Sequence, residues 1–250
     1  MSDSIVIIPT YNEKENIENI IRAVFNLPKP FHILVVDDNS PDGTASIVRK
    51  LISEEFNGKL FLEERTGKLG LGTAYIRGFK WSLDRSYEYV FEMDADFSHN
   101  PKDLTRLYSA CHDEGYDFSI GSRYSSGVNV VNWPMGRVLM SYFATQYVRF
   151  VTGLKIKDTT AGFICYKRRV LETINLDDVR FKGYAFQIEM KYTAKVLGFR
   201  GKEVSVIFVN RRLGTSKMDT SIFGEAFFGV IVLRWRKITG KIRPNNDTNS

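Results

Sequence analysis

The segment Asp94-Ala95-Asp96 carries two carboxylates on either side of a small residue, directly after the apolar run 89–93. Residues two apart in an extended chain point the same way, so these carboxylates repel each other unless a cation or hydrogen-bond donors neutralise them. A hard divalent ion does so while it leaves coordination positions open for phosphate oxygens. A solvated turn is the alternative, and the apolar run before the pair favours the metal site.

Two further groups of polar residues follow apolar runs. Asp37 and Asp38 come after residues 32–36, where carboxylates can accept hydrogen bonds from a base or a ribose. A loop with a helix cap at Ser40 or Asp42 is the alternative, and both can hold at once. The other group contains Tyr11, which can lie against a flat base, and Glu13, which can accept a hydrogen bond from that base. A strand end followed by a helix cap would by itself explain this segment as well. Its sequence is IIPTYNE.

Glycines and arginines complete the candidate site. The sequence KLGLG at 68–72 allows a close backbone approach to a ligand, but it is not a P-loop and a plain turn explains it equally well. Arginine binds phosphate oxygens through two parallel hydrogen bonds. Surface charge is the simpler explanation for any one arginine, but several beside an acidic pair indicate a site for several phosphates. The cations concerned are Arg123, Arg137, Arg211, Arg212 and Lys217.

The elements that must position these residues alternate between strand-like and helix-like segments. Apolar strand-like runs occupy 4–9, 32–36, 59–64, 89–93 and 117–120. Runs this apolar predict a mainly parallel sheet covered by helices on both faces, with ligands beyond the carboxyl ends of the strands. Asn12 with Glu15 predicts one helix start through a capping box, and Asn100-Pro101 predicts another.

The second half of the chain is less regular. Helices are predicted over 133–153, 184–197 and 220–239, and strands over 162–166 and 203–209. The helix over 133–153 has apolar residues together with a polar stripe of Ser141, Thr145, Arg149 and Thr152, which is typical of an amphipathic helix. The helix over 220–239 is rich in aromatic residues and ends in bases.

Composition excludes several classes of protein. The chain has 250 residues, of which 43% are hydrophobic and 26% charged, so it is neither a disordered tail nor a fibrous repeat. No apolar run of about 18 residues predicts a transmembrane helix. The acidic N-terminus predicts no signal peptide. Cys111 and Cys165 match no metal spacing, which predicts a cytosolic protein without disulfides.

The net charge of +6 is concentrated towards the end of the chain. No acidic residue precedes Asp247 in this stretch, which contains the bases Arg234, Arg236, Lys237, Lys241 and Arg243. Such a cluster suits a nucleotide, a nucleic acid or a lipid surface, and a solvated tail is the alternative. No recognised nucleic-acid-binding motif accompanies it, so nucleic acid is not expected as a partner.

Together these motifs resemble the dolichyl- or polyprenyl-phosphate mannose synthases, which are family 2 glycosyltransferases of GT-A fold. The resemblance spans residues 5 to about 220. IIPTYNE, VVDD and DAD mark family 2 in general, whereas SPDGT, GSRY, NWP and G-x-SK are more specific to the polyprenyl-phosphate subgroup. The motifs, in chain order, are IIPTYNE, VVDDNSPDGT, GLGTAYIRGF, MDADFSH, IGSRY, NWPMGR, AGF and NRRLGTSK.

The resemblance implies a role for each matching residue. Asp96 is the leading ligand of Mg²⁺ or Mn²⁺ within the family's DAD motif, and Arg123 and Arg137 lie near the acceptor phosphate. Arg211 and Lys217 lie near the donor diphosphate and the reacting centre. The positions implied to bind the nucleotide sugar are Pro9, Tyr11, Glu13, Val36, Asp38, Asp94, Ala95, Asp96, Arg211 and Lys217.

Two departures from the family pattern affect these expectations. Ser98 stands where relatives often carry glutamine as a second metal contact, so a water is expected to bridge. Some relatives continue into transmembrane helices, whereas this sequence resembles the soluble type. A basic amphipathic helix over 219–243 or a small membrane-anchoring subunit would then bring the catalytic domain, 1–218, to the cytoplasmic face of a membrane. A helix docked on the domain or a dimer contact is the alternative, and 244–250 are expected to form a tail.

The expected function is the transfer of mannose from GDP-mannose to a polyprenyl (dolichyl) phosphate with inversion, which gives a β-linked product. A phosphate acceptor is already ionised, and no residue stands out as a general base. Transfer of glucose from UDP-glucose remains open. So does a protein without catalysis that binds nucleotides or nucleic acid.

Overall fold

The computed structural model describes residues 2–210 and 221–245, with backbone alone at residues 184 and 221–226. Its strands are β1 (Ser4–Thr10), β2 (His32–Asp37), β3 (Leu60–Glu64), β4 (Tyr89–Glu92), β5 (Phe118–Ser122), β6 (Val130–Val131), β7 (Ile164–Lys167), β8 (Gly201–Ser205) and β9 (Phe208–Val209). Its helices are α1 (Ile17–Phe25), α2 (Thr44–Glu54), α3 (Leu71–Leu83), α4 (Asp103–His112), α5 (Met135–Thr152), α6 (Arg168–Thr173), α7 (Tyr184–Val196) and α8 (Ser221–Ile238), with a 3₁₀ turn at Leu176–Asp178.

Seven strands form one twisted sheet in the order β3-β2-β1-β4-β7-β5-β8. Only β7 runs antiparallel to its neighbours, so the predicted mainly parallel α/β sheet is confirmed. Both faces of the sheet are covered: along β1, Ile5 and Ile7 enter one hydrophobic core, while Val6 and Ile8 enter the other. Burial on both sides explains why these strands are continuous apolar runs.

The order in which strands are added to the sheet reverses at β1, and this reversal creates the ligand-binding edge. It proceeds from β1 to β2 and β3 on one side and then returns to β4 on the other side of β1. In open α/β sheets a crevice forms at such a point, beyond the carboxyl ends of the strands. The loops that follow β1, β2 and β4 therefore face one another.

Two predicted helix starts are wrong. Asn12 has a φ of 56° and donates its backbone N–H to Ser40 Oγ, so it cannot cap a helix, and α1 begins only at Ile17. Similarly, Asn100 and Pro101 form a turn in which Asn100 Oδ1 accepts from Lys102 N, and α4 follows at Asp103. At Asn12 a contact with the loop after β2 replaces the cap, whereas the bond at Asn100 closes a turn that precedes the helix.

The strand predicted over 203–209 is divided between two sheets. β8 pairs with β5 in the main sheet, and β9 pairs with β6 in a separate two-stranded sheet. The break lies at Val206 and Ile207: Val206 N still donates to Ser122 O, whereas Phe208 N donates to Asn129 O. The chain leaves the main sheet because the loop before α5 offers new backbone partners.

Helix α5 does not bury its apolar face and expose its polar face, as an amphipathic helix ordinarily does. Thr145 and Thr152 from its polar stripe are buried, whereas Phe143 and Phe150 are 64% and 90% exposed. The buried hydroxyls are satisfied locally, since Thr152 Oγ1 donates to Val148 O and Thr145 Oγ1 accepts from Thr159. The outer face of α5 is therefore apolar.

Helix α8 packs against α7 and α5, as in the docked alternative, and also presents an apolar outer face. Its Val230 and Leu233 are buried in the core. Arg236, one of the bases of the C-terminal cluster, is buried and paired with Glu189 and Asp178, so it is not available to an external anion. Exposed apolar side chains on the outside of α8 are Phe227, Phe228, Ile231, Val232, Trp235 and Ile238. Within the described part of the chain, no helix combines the length and hydropathy needed to cross a membrane.

Candidate active site

The loops after β1 and β2 are joined by short hydrogen bonds. Thr10 Oγ1 donates to Asp37 Oδ1 over 2.7 Å, and Asp38 N donates to Thr10 O over 3.0 Å. In addition, Glu13 N donates to Thr44 Oγ1 at the start of α2. The structure thus brings together the two segments predicted to bind the nucleoside, which include Pro9, Val36 and Tyr11.

Asp38 lies in a buried ion pair with Arg65, a residue that the sequence reasoning missed. Arg65 Nε donates to Asp38 Oδ1 over 2.5 Å, and its other nitrogens reach Thr73 Oγ1 and Gly70 O. Burial raises the pKa of Asp38, and the bond to Arg65 only partly opposes this effect. Arg65 follows β3 directly, so the rule that placed the other motifs at the strand ends could have found it.

The glycines of KLGLG approach protein rather than an open ligand position. A Cβ atom on Gly72 would lie 2.8 Å from Phe181 O, and Gly72 N donates to Lys182 O over 2.8 Å. Gly70 has a φ of 101°, a conformation that other residues rarely adopt. Lys68 crosses towards Tyr11, with Nζ 5.3 Å from the centre of its ring. This loop therefore closes one side of the predicted nucleoside site.

The acidic motif forms a tight, largely buried hairpin after β4. Ala95 and Asp96 are buried, and Ser98 N donates to Asp96 Oδ1 over 3.0 Å. Between them Phe97 has a φ of 58°, which is strained for a bulky residue. Backbone strain of this kind is concentrated at functional sites, because surrounding contacts must hold it in place.

His99 fixes the other end of the hairpin. Its Nδ1 accepts from Asp94 N over 3.2 Å, and its ring stacks on Phe163 with the centroids 4.8 Å apart. Burial lowers the pKa of His99 to about 4, so the imidazole is neutral and its proton lies on Nε2. No role was predicted for His99 from the sequence, although it follows the acidic pair closely.

The residues of the hairpin suit a divalent cation for which the protein supplies some of the ligands and the substrate supplies others. Ser98 Oγ is buried, and among the described residues it has no hydrogen-bond partner. No group of three or more His, Cys, Asp or Glu side chains in residues 2–210 and 221–245 is arranged to enclose a metal. A carboxylate and a hydroxyl instead suit Mg²⁺ or Mn²⁺ with phosphate oxygens and water as the remaining ligands.

Arg123 is a buried cation with a fixed orientation. Its Nε and Nη2 donate to the two carboxylate oxygens of Asp158 over 2.7 and 2.6 Å, and Nη2 also reaches Thr160 Oγ1. Burial alone would raise the pKa of Asp158, but the charge and hydrogen bonds of Arg123 outweigh it and lower that pKa.

Arg137 lies 4.0 Å from the ring centroid of Trp133 and donates to Asn210 Oδ1 over 3.1 Å. Arg123 lies 5.4 Å from the same ring. The two arginines predicted to bind the acceptor phosphate therefore lie near one aromatic side chain. Arg211 and Lys217 lie outside the described residues.

One cavity of about 900 Å³ is lined by Asp94 and His99 of the hairpin, by Arg123 and Arg137, and by Trp133. Its polar end is formed by Asp94, His99, Arg123, Thr160 and Gln187. Its apolar end lies between α5 and α8, where Tyr147 stacks on Phe227 with 4.6 Å between the ring centroids. Apolar side chains that line the cavity are Leu71, Met140, Phe143, Ala144, Tyr147, Val148, Ile188, Phe208 and Phe227.

Comparison with known proteins agrees with this architecture. The sequence pattern of "Glycosyl transferase family 2" matches residues 5–174. The chain belongs to glycosyltransferase family 2. Within this family it is 47% identical over 227 residues to a polyprenol monophosphomannose synthase of Mycolicibacterium smegmatis, which covers 91% of this chain and 85% of that protein.

A second relative and a solved structure are informative about this family 2 glycosyltransferase. An undecaprenyl-phosphate mannosyltransferase of Micrococcus luteus is 40% identical over 242 residues, or 95% of this chain and 98% of that protein. The fold resembles glucosyl-3-phosphoglycerate synthase of Mycobacterium tuberculosis, solved with Mn²⁺, uridine diphosphate and glucosyl-3-phosphoglycerate. That match has a TM-score of 0.65 and 18% identity, and it covers 97% of this chain and 81% of the other.

Proposed function

We propose that this family 2 glycosyltransferase transfers mannose from GDP-mannose to a polyprenyl phosphate. The observation that carries the proposal is a continuous cavity that has a polar end at the acidic hairpin and an apolar end between α5 and α8. A polyprenyl phosphate has the same two parts, an anionic head and an apolar chain. The two mannosyltransferase relatives, both named for polyprenyl acceptors, support the same substrates.

In the proposed reaction an oxygen of the lipid phosphate attacks the anomeric carbon of mannose. The bond from that carbon to the diphosphate breaks, and GDP leaves with the electron pair. Attack from the face opposite GDP inverts the anomeric centre and converts an α-linked donor into a β-linked product. The acceptor is already ionised at neutral pH, so no general base is needed, which is compatible with a neutral His99.

Arg123 and Arg137 would orient the acceptor phosphate. Their guanidinium groups lie 5.4 and 4.0 Å from the centre of the Trp133 ring, and both residues line the cavity. Asp158 fixes the plane of Arg123, so little side-chain entropy is lost when a phosphate binds. Arg211 and Lys217 remain predicted to stabilise the donor diphosphate.

Asp96 would hold Mg²⁺ or Mn²⁺, with Ser98 contributing directly or through a water. Such an ion, when bound, supplies positive charge for the diphosphate of the leaving group. Mn²⁺ is present in the structure of the mycobacterial neighbour. Asp94 and Ala95 complete the proposed donor site beside Asp38, Tyr11 and Glu13.

The outer faces of α5 and α8 would bind the surface of the membrane that contains the acceptor. Both helices expose large apolar side chains, and bases follow at Lys237 in the last turn of α8 and at Lys241 and Arg243 just after it. Aromatic side chains with adjacent bases are typical of helices at the membrane interface. The protein would then act as a peripheral enzyme on the cytoplasmic face, by itself or with a small anchoring subunit.

The decisive test is incubation of the protein with radiolabelled GDP-mannose, Mg²⁺ and a polyprenyl phosphate, followed by organic extraction. We expect label in the organic phase, and none with the matched polyprenol that lacks phosphate. A parallel reaction with UDP-glucose tests the alternative donor. Transfer to the polyprenol, or a preference for UDP-glucose, would contradict the proposed substrates.

A further inference from the structure

The polar end of the cavity contains a buried pair that the proposed reaction does not use. Gln187, near the start of α7, is 2% exposed and lines the cavity beside Asp94 and Gly162. Its Nε2 donates to Glu92 Oε2 over 2.5 Å. Glu92 is the last residue of β4 and is fully buried.

One oxygen on each side chain of this pair lacks a hydrogen bond. Among residues 2–210 and 221–245, neither Gln187 Oε1 nor Glu92 Oε1 has a partner. A buried polar atom without a partner costs about 1–3 kcal/mol, so native proteins rarely leave one unsatisfied. A group that enters the cavity is therefore the natural partner of Gln187.

The chemistry of the pair restricts what that group can be. An amide oxygen accepts a hydrogen bond, so the ligand must donate one. A phosphate oxygen at neutral pH accepts a hydrogen bond rather than donating one, and the acidic side chain of Asp94 lines the same end of the cavity. A further cation is also disfavoured, because the buried ammonium of Lys191 already interacts with Glu92 and is held on Ala161 O over 2.6 Å. A sugar hydroxyl satisfies these conditions.

We propose that Gln187 binds the sugar of the donor: its amide oxygen accepts a hydrogen bond from a hydroxyl of the mannosyl group. Glu92 acts as a positioning residue that fixes the orientation of the amide. This inference rests on the proposed function and adds to it the residue that distinguishes a nucleotide sugar from a bare nucleotide.

The test compares the affinities of GDP and GDP-mannose, measured by calorimetry with Mg²⁺ and without lipid acceptor. Gln187→Met keeps the length of the side chain and removes its polar groups. We expect the Kd of GDP-mannose to rise about three- to tenfold, the usual effect of one lost hydrogen bond. The Kd of GDP is expected to stay unchanged, which also shows that the variant is folded.

A second variant tests the same position without changing a buried polar group. The three heavy atoms nearest to a Cβ atom on Gly162 would all belong to Gln187, with Nε2 at 3.4 Å. We expect Gly162→Ala to weaken GDP-mannose binding selectively, because the added methyl group would occupy cavity space beside the Gln187 amide. Gly136→Ala is the matched control, because a Cβ atom there has nothing within 4 Å.

The inference is overturned if both variants bind GDP-mannose as the wild type does, or if they lose affinity for GDP by the same factor. In either case the proposed function stands, since the wild type still binds the donor. Wild-type protein that binds neither GDP nor GDP-mannose would overturn both.

Discussion

At the scale of single residues, the acidic hairpin combines backbone strain and burial with a Ser98 hydroxyl that has no hydrogen-bond partner within the described part of the chain. Phe97 has a left-handed backbone conformation, and the hydrogen bond from Ser98 N to Asp96 Oδ1 closes the turn around it. His99 Nδ1 restrains the hairpin from the other side. These contacts fix Asp96 before any ligand binds, so little reorganisation is needed at the moment of reaction.

Replacement of Asp96 with alanine is expected to reduce transfer roughly 10²-fold or more, the usual loss when one electrostatic stabiliser is removed. The melting temperature is expected to change by only a few degrees, because the backbone of the hairpin is held by other contacts as well. The measurement is product formation with Mg²⁺ or Mn²⁺, alongside a thermal melt.

The exposed Asp84, which follows α3, provides the matched control. Asp84→Ala is expected to retain wild-type activity. Near-normal turnover by Asp96→Ala would remove the proposed metal-binding role.

At the scale of elements, α5 and α8 together form one apolar outer surface. Both are also anchored to the enzyme: Thr145 and Thr152 of α5 are buried, and Arg236 of α8 pairs with Glu189 and Asp178. The apolar end of the cavity lies between the two helices. A lipid chain could therefore extend from the cavity into a membrane without leaving an apolar environment.

A double variant, Phe150→Ser with Phe228→Ser, tests this surface. Both phenylalanines are highly exposed, at 90% and 68%, and neither lines the cavity. Burial of a phenylalanine contributes about 1.5–3 kcal/mol, so binding to vesicles is expected to weaken tenfold or more. Sedimentation with anionic vesicles measures it.

Activity of this variant towards a short-chain acceptor dissolved in water serves as the control and is expected to remain unchanged. If the variant sediments with vesicles as the wild type does, the two helices do not bind the membrane through these residues.

At the scale of the whole molecule, two hydrophobic cores enclose the sheet, and charged groups are buried within them near the site. Burial raises the pKa of Glu92 to about 8 and lowers that of Lys191 to about 8. Both side chains are fully buried. Glu92 is therefore stabilised mainly by its hydrogen bond with Gln187, and Lys191 by its hydrogen bond to the Ala161 carbonyl. Such groups couple the stability of the fold to pH.

Between pH 4.5 and about 8 the folded protein holds a proton on Glu92 that the unfolded chain has lost. The contribution of Glu92 to the free energy of unfolding therefore falls as pH rises in this window, by up to about 1.4 kcal/mol per unit. Lys191 acts in the opposite direction between about 8 and 10.5, because the unfolded chain then binds the extra proton.

Urea unfolding of Glu92→Gln at several pH values from 5.5 to 7.5, a range of roughly two units, is expected to show a smaller decrease than the wild type. The exposed Glu88→Gln provides the control and should keep the wild-type slope. Identical slopes for all three proteins would show that Glu92 is ionised to the same extent in the folded and the unfolded chain.

Much of the fold and part of the site could be predicted from the sequence, because both follow from local patterns. Strands such as β1 are apolar throughout since both faces are buried, and this marks a mainly parallel sheet. Polar residues after these strands lie at one edge, which placed Tyr11, Asp38 and Asp96 in one region. The family motifs follow the same order and lead to the same assignment.

Only the tertiary structure decided how side chains distant in sequence are paired. Asp158 lies 35 residues from Arg123, and Asp38 lies 27 residues from Arg65, so no local period could reveal either pair. The polarity of α5 was decided in the same way, because whether a threonine faces the core depends on where its hydroxyl finds a partner. Hydrophobic periodicity specifies elements, whereas the partners of buried charges and hydroxyls are specified by packing alone.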